Sequence, residues 1–251
     1  MGNVYGGGWA QNGGTSTVTG AVNITIAGDA EVSNVFGGGS YSTNNSQGAT
    51  SVGSVSITVA GGAIYGNIFA AGQGANSTVT TGNVSVTFTG SNDHTCNVYS
   101  YSQQASATTG GDKALTFATY TGALSGDIGG FDKILVTGDT AANLGGTIDN
   151  GNWEFDFTKR TLAAETVALT LANGISTEDE LNLTLRLADD VPATDWSLAS
   201  GVGDIASALA GYEVYVGDTQ LDFAGGKVVS GVYAGWCFAI EDSTLKFKQL
   251  A

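Results

Sequence analysis

A three-residue motif returns at near-constant spacing along the first half of the chain, and no other feature restricts the fold as much. Asn3-Val4-Tyr5, Asn34-Val35-Phe36, Asn67-Ile68-Phe69 and Asn97-Val98-Tyr99 stand 31, 33 and 30 residues apart (34 − 3, 67 − 34, 97 − 67). Gly-Gly-Gly follows the first two copies, Ala70-Ala71-Gly72 the third and Ser100-Tyr101-Ser102 the fourth. A second segment trails each copy, at 22–26, 55–59, 84–88 and 113–117. In it Ile24, Ile57, Val86 and Leu115 take the apolar side, while Thr25, Thr58, Thr87 and Thr116 take the polar side. Alternation with period two marks a half-buried strand. Strand pairs repeated every thirty or so residues, without helical periodicity, predict a β-solenoid in which each repeat forms one coil. Coils would stack at about 4.8 Å, with aliphatic ladders inside and Tyr5, Phe36, Phe69 and Tyr99 as an aromatic ladder. Glycine after the second strands (Gly28, Gly61-Gly62, Gly90) suits tight corners, and a single Pro in the chain leaves the ladder N–H groups available.

Composition divides the chain where the repeat fades. Residues 1–112 hold no Lys or Arg and only Asp29, Glu31, Asp93 and Asp112 as acids. All 8 bases and the other 19 acids (23 − 4) follow. The expected organisation is a solenoid over 1–112, with exposed polar loops at 9–21, 40–54, 73–83 and 101–112, then a continuing or capping β domain over 113–251. Apolar alternation in that second part places strands at 133–136, 153–157, 167–171, 181–187, 212–216, 221–223, 236–240 and 245–247. One short helix is expected at 203–210, with Asp204 as N-cap and Gly211 just past its end.

The net charge of −15 excludes the basic footprint of a nucleic-acid binder and opposes docking on an anionic membrane. No apolar run has the length of a spanning helix. Met1 precedes Gly-Asn-Val-Tyr-Gly-Gly-Gly, with neither a basic nor an apolar leader region, so no signal peptide is read there. Because 2–8 reads as the interior of a repeat, the sequence is expected to be part of a longer chain. Cys96 and Cys237 are read as buried thiols, with a disulfide as the alternative.

Several constellations could carry chemistry. Asp93-His94-Thr95-Cys96 is the one place where His and Cys meet, as a thiolate–imidazole pair or two metal ligands, against the plainer reading of a loop His beside a buried Cys. Glu154 and Asp156 flank Phe155 with both carboxylates on one strand face, about 6.5–7 Å apart, near the separation used in glycoside hydrolysis. Trp153, Phe155 and Phe157 define the buried side, which puts the pair on the ordinary solvated side. Asp127 with Asp132, and Glu178-Asp179-Glu180, are carboxylate groups that could hold Ca²⁺ as a cofactor. The Thr column, flanked by Asn23, Ser56 and Ser85, forms a hydroxyl array of the kind that can order water on an ice-binding face.

Asn-Val-Tyr-Gly-Gly-Gly, the Val-x-Ile-Thr-Ile-x-Gly strand and Gly-Gly-Phe-Asp-Lys-Ile-Leu-Val-Thr-Gly (129–138) together resemble the passenger regions of large bacterial autotransporter and adhesin proteins. The ending from Gly231 onward is similar to that of giant Gly/Thr-rich surface proteins. The resemblance implies an all-β chain folded as a right-handed parallel β-helix and displayed outside the cell. The expected function is a non-enzymatic structural or adhesive segment of an exported surface protein, meeting a host or cell-surface glycan or protein. The alternatives are a carbohydrate-binding or carbohydrate-cleaving β-helix, or an ice-binding face on the Thr column.

Overall fold

The computed structural model describes residues 1–10, 14–41, 49–73, 78–80, 82–103, 110–149, 151–175, 181–189, 194–202 and 209–249. It is an all-β chain, without helix among those residues, wound into a β-solenoid of about 6 turns. The Asn-Val-Tyr copies form one face. Val4–Tyr5, Val35–Phe36, Asn67–Phe69 and Asn97–Tyr99 pair in parallel and in motif register, and Ile128–Gly129 and Ile148–Asp149 extend the same sheet. The aromatic ladder forms as expected, with ring centroids 4.9 Å apart for Tyr5–Phe36, 5.7 Å for Phe36–Phe69 and 5.4 Å for Phe69–Tyr99. At the next coil the aromatic position is Gly129, and Tyr101 stacks 4.9 Å from Tyr99.

The second face is the long sheet. Its parallel order runs from Thr15–Val32 through Ala49–Ile64, Val84–Gly90, Lys113–Tyr120, Lys133–Thr137, Asn152–Asp156 and Leu181–Leu187 to Leu209–Val216. The composition break near residue 112 therefore falls between paired strands of a single sheet. Two coils beyond it are shorter: Leu115 pairs with Ile134 and Ile134 with Trp153, each 19 residues on (134 − 115, 153 − 134), before Trp153–Leu183 and Leu183–Tyr212 return to 30 and 29 (183 − 153, 212 − 183). Earlier rungs such as Val86 to Leu115 span 29 (115 − 86). The solenoid continues through the two short coils, which keep the strand pairing across a shorter connection.

The interior column under this sheet runs Ile26, Val59, Phe88, Phe117, Val136, Phe155, Leu185, Val214, and its members are fully buried. Rings enter this column at Phe88, Phe117 and Phe155. A third face begins at Ala123–Leu124 and passes through Ala142–Leu144 and Leu169–Leu171 to Trp196–Ser200. There the parallel order ends. Thr244–Gln249 pairs antiparallel with Trp196–Ser200, Trp236–Glu241 pairs antiparallel with it in turn, and Thr219–Gln220 folds antiparallel on the long sheet. The Phe247 ring is buried among Tyr233, Trp236 and Phe238, with centroids 5.3–5.7 Å away.

The connections depart from expectation. Most of the anticipated 9–21 and 40–54 loops are strand: the long-face strands begin at Thr15 and Ala49, while Trp9–Ala10 and Ser40–Tyr41 form a short parallel pair. The coils pair along their flanks as well as at their centres, since Ser and Thr satisfy a wet sheet face. Thr78–Thr80 also pairs inside the third segment, and the remainders at 11–13, 42–48, 74–77, 81 and 104–109 lie outside the described residues. Of the expected helix, 203–208 lies outside the described residues, while its end and Gly211 belong to strand Leu209–Val216. Pairing with Leu181–Leu187 overrides the local helical pattern there.

Candidate functional site

The residues with chemical potential resolve mostly into ladder supports. Asn34 donates from its backbone N and its Nδ2 to Asn3 Oδ1 (3.2 and 3.1 Å). Asn67 N donates to Asn34 Oδ1 (2.8 Å) and Asn97 Nδ2 to Asn67 Oδ1 (2.9 Å). Asp127 takes the next rung: its N donates to Asn97 Oδ1 (2.8 Å), and its own Oδ1 accepts from Thr147 N and Oγ1 (both 2.8 Å). Those Thr147 bonds hold the Asp127 carboxyl below the usual range. Asp132 pairs instead with Lys113, through a 2.8 Å ion pair and the Lys113 backbone N–H. The Asp127 and Asp132 carboxylates, read together as Ca²⁺ ligands, are thus each engaged with a different neighbouring coil. Glu178, Asp179 and Glu180 lie outside the described residues, among which no three His, Cys, Asp or Glu side chains gather as metal ligands.

Glu154 and Asp156 do share the outer side of the long sheet, but Glu154 sits between two cations. Lys133 Nζ lies 2.7 Å from its Oε2 and Arg186 Nε 2.8 Å from its Oε1. Burial pushes this carboxyl upward, yet the bonds from Lys133 and Arg186 outweigh it and leave the group below its ordinary range. A general acid needs the opposite shift. Asp156 turns to Thr158, accepting from its N and Oγ1 (3.1 and 2.6 Å). Arg186 also lies 4.4 Å above the Tyr215 ring, and Tyr215 donates to Glu213 (2.9 Å). The group is a chain of alternating charges across three coils.

His94 lies in the connection between Val84–Gly90 and Asn97–Tyr99, beside the buried Cys96, and is itself buried. It bridges to Leu124 in the next coil and is 2% exposed, with Phe88 and Tyr120 rings at 5.5 and 6.4 Å and neither ring nitrogen hydrogen-bonded. Burial lowers its pKa, against the opposing charge of Asp93. Burial also pushes the Cys96 thiol up to about 12, which removes the thiolate that a nucleophile requires. Cys96 and Cys237 are both free and buried. The Thr column is in register as read, Thr25–Thr58–Thr87–Thr116, and then passes to Leu135 and Glu154.

Two features were not singled out in the sequence. Arg160 is a structural clamp, donating to the carbonyls of Gly138, Thr140 and Thr166 (3.2, 2.8 and 2.8 Å) over the Phe157 ring. The other is an open cleft of about 360 Å³ at the first coil, lined by Tyr5, Gly7, Gly8, Trp9 and Ser40. Trp9 is 63% and Tyr5 40% exposed, and Gln73 Oε1 accepts from both Tyr5 Oη (2.9 Å) and Ser40 Oγ (2.6 Å). A Trp in a Gly-rich polar stretch was the available signal. Compared with protein families, curated proteins and solved structures, the chain matches none. The β-solenoid rests on the repeat and on the structure built from it.

Proposed function

We propose that the chain is a non-enzymatic structural or adhesive segment of an exported bacterial surface protein of the autotransporter and adhesin type. Its work is to hold coil edges and connections in fixed positions for a host or cell-surface glycan or protein. One observation carries the reading: a parallel ladder runs unbroken from Thr15–Val32 to Leu209–Val216, and the Glu154 carboxylate on its outer side is spent on joining coils. A glycan array paired with a reducing-sugar release assay tests it. Retention on glycans or surface proteins without turnover is expected; hydrolysis lost in Glu154→Gln would overturn it.

The second reading, carbohydrate binding, draws on the first-coil cleft, where exposed rings and an amide offer stacking and hydrogen bonds to a neutral sugar. Loss of array binding in Trp9→Ala would favour it. For the Thr column, thermal hysteresis is the corresponding measurement.

A further inference from the structure

The aromatic column changes where the coils shorten. Phe36 and Phe69 are buried, whereas Tyr99 and Tyr101 are half-buried. In parallel register, Tyr99 is followed on the next coil by Gly129 and on the one after by Asp149. Tyr101, stacked 4.9 Å from Tyr99 with 22° between the rings, fills the rung that Gly129 leaves without a side chain. The fit is close. A Cβ on Gly130, whose φ is 76°, would lie 2.6 Å from Tyr101 Cδ1, and one on Gly129 would lie 3.7 Å from the Tyr101 hydroxyl. Ser100 fixes the base of the ring, its N donating to the Gly129 carbonyl (3.1 Å) and its Oγ to the Gly130 carbonyl. The rung after Tyr101 is Asp149, and no second ring stacks on Tyr101 among the described residues.

We infer that this step, in mid-chain with coils stacked on both sides, binds a glycan that carries a protonated amine. The sugar's apolar face lies on the Tyr101 ring, and its ammonium meets the Asp127 and Asp149 carboxylates. The inference deepens the display reading above and rests on it.

Three observations point to this ligand. The stack ends in a half-buried Tyr rather than in the buried Phe of earlier coils, and such a ring offers its face to a sugar and to a nearby cation. Asp127 and Asp149 are exposed and stand on the ladder's outward side. Asp149 is one rung from Gly129, and Asp127 lies two residues before it, about 6.5–7 Å along the strand. Burial, then the Tyr99 ring and the charges of Asp149 and Asp127, push the Tyr101 hydroxyl up, so both carboxylates act on the ring. Finally, neither acid is in an ion pair among the described residues, unlike Asp132, Glu154 and Glu241. The Thr147 bonds hold the Asp127 carboxyl low, which keeps it charged in mild acid. A ring beside two unneutralised carboxylates is complementary to a cationic sugar.

Isothermal titration calorimetry with a glucosamine oligosaccharide and its N-acetylated counterpart, in buffer acidic enough to protonate the amine, tests the site. The amine form should bind, weaken with added salt, and lose about tenfold in affinity on acetylation. Asp149→Asn should also cost about tenfold. Tyr101→Ala should abolish binding, and Tyr101→Phe, which keeps the ring face, should retain it. Gly130→Ala should act like Tyr101→Ala by driving the ring from its rung. If either of those two misfolds by circular dichroism, the exposed Asp149→Asn still decides. Equal affinity for both sugar forms overturns the inference in favour of a neutral sugar surface. Binding that Tyr101→Ala and Asp149→Asn leave intact overturns it in favour of diffuse attraction to the charge of −15. No binding of the amine form, with other glycans or proteins still retained on an array, overturns it and leaves the display reading standing. An array that retains nothing strikes the display reading, and this inference with it.

Discussion

The coils before residue 112 and those after it build the same ladder from different materials. The early coils stack glycines, an Asn column and the Tyr5–Phe36–Phe69–Tyr99 rings. Gly37 lies so close to the next coil that a Cβ would overlap the Ala70 carbonyl and Val55 Cγ1, and the Asn column zips successive coils together without charge. The later coils, only 19 residues long at their tightest, stack Phe117, Trp153 and Phe155 inside and Lys133, Glu154 and Arg186 outside. A parallel sheet edge can thus be propagated by repetition of a short uncharged motif or by alternating charge. The first leaves a periodic trace in the sequence; the second does not.

Breaking the later coils should cost most. Phe155→Ala removes a fully buried ring from the tight coils and is expected to destabilise by about 3–5 kcal/mol in urea unfolding. Gly37→Ala attacks the early coils at their closest backbone approach and should cost roughly 1–3 kcal/mol in the same measurement. A loss as large as that of Phe155→Ala would show that the early coils are the less tolerant half.

The junction between the halves should respond to pH. His94 has a folded-state pKa below its unfolded value, so it remains neutral in the fold while the unfolded chain takes up a proton. Stability is therefore complete above the unfolded value near 6.5 and declines as pH falls below it, by up to about 1.4 kcal/mol per pH unit. Denaturation midpoints at pH 7.5 and pH 5 should show this fall, and His94→Phe, placed among Phe88 and Tyr120, should flatten it.

Smaller effects separate the two kinds of ladder. Asn67→Ala removes the acceptor for Asn97 and should cost roughly 0.5–1.5 kcal/mol, insensitive to salt. Glu154→Gln leaves Lys133 and Arg186 without their shared anion; both cations are more than a third exposed, so about 1 kcal/mol is expected, shrinking as salt is added. Equal salt dependence in the two variants would erase the distinction between the halves.

The sequence by itself determined the early half. The Asn-Val-Tyr spacing, the alternation at Ile24, Ile57 and Val86, and the Gly corners led to coils, faces and ladders in the observed register, because each rung repeats its own chemistry. It left open whether the part after residue 112 continues or caps the solenoid, since the short coils at Lys133–Thr137 and Asn152–Asp156 interrupt the period while keeping the pairing. Nor did it show that Asp127 is a rung of the Asn column, that Glu154 is neutralised from both sides, or that the His94 ring is buried with no hydrogen bond among the described residues. Those facts depend on which side chains the winding brings together from coils 19 to 34 residues apart. Local alternation chooses a strand and its inward side. Only the stacking of one coil on the next decides which carboxylate meets a cation and which amide meets an amide.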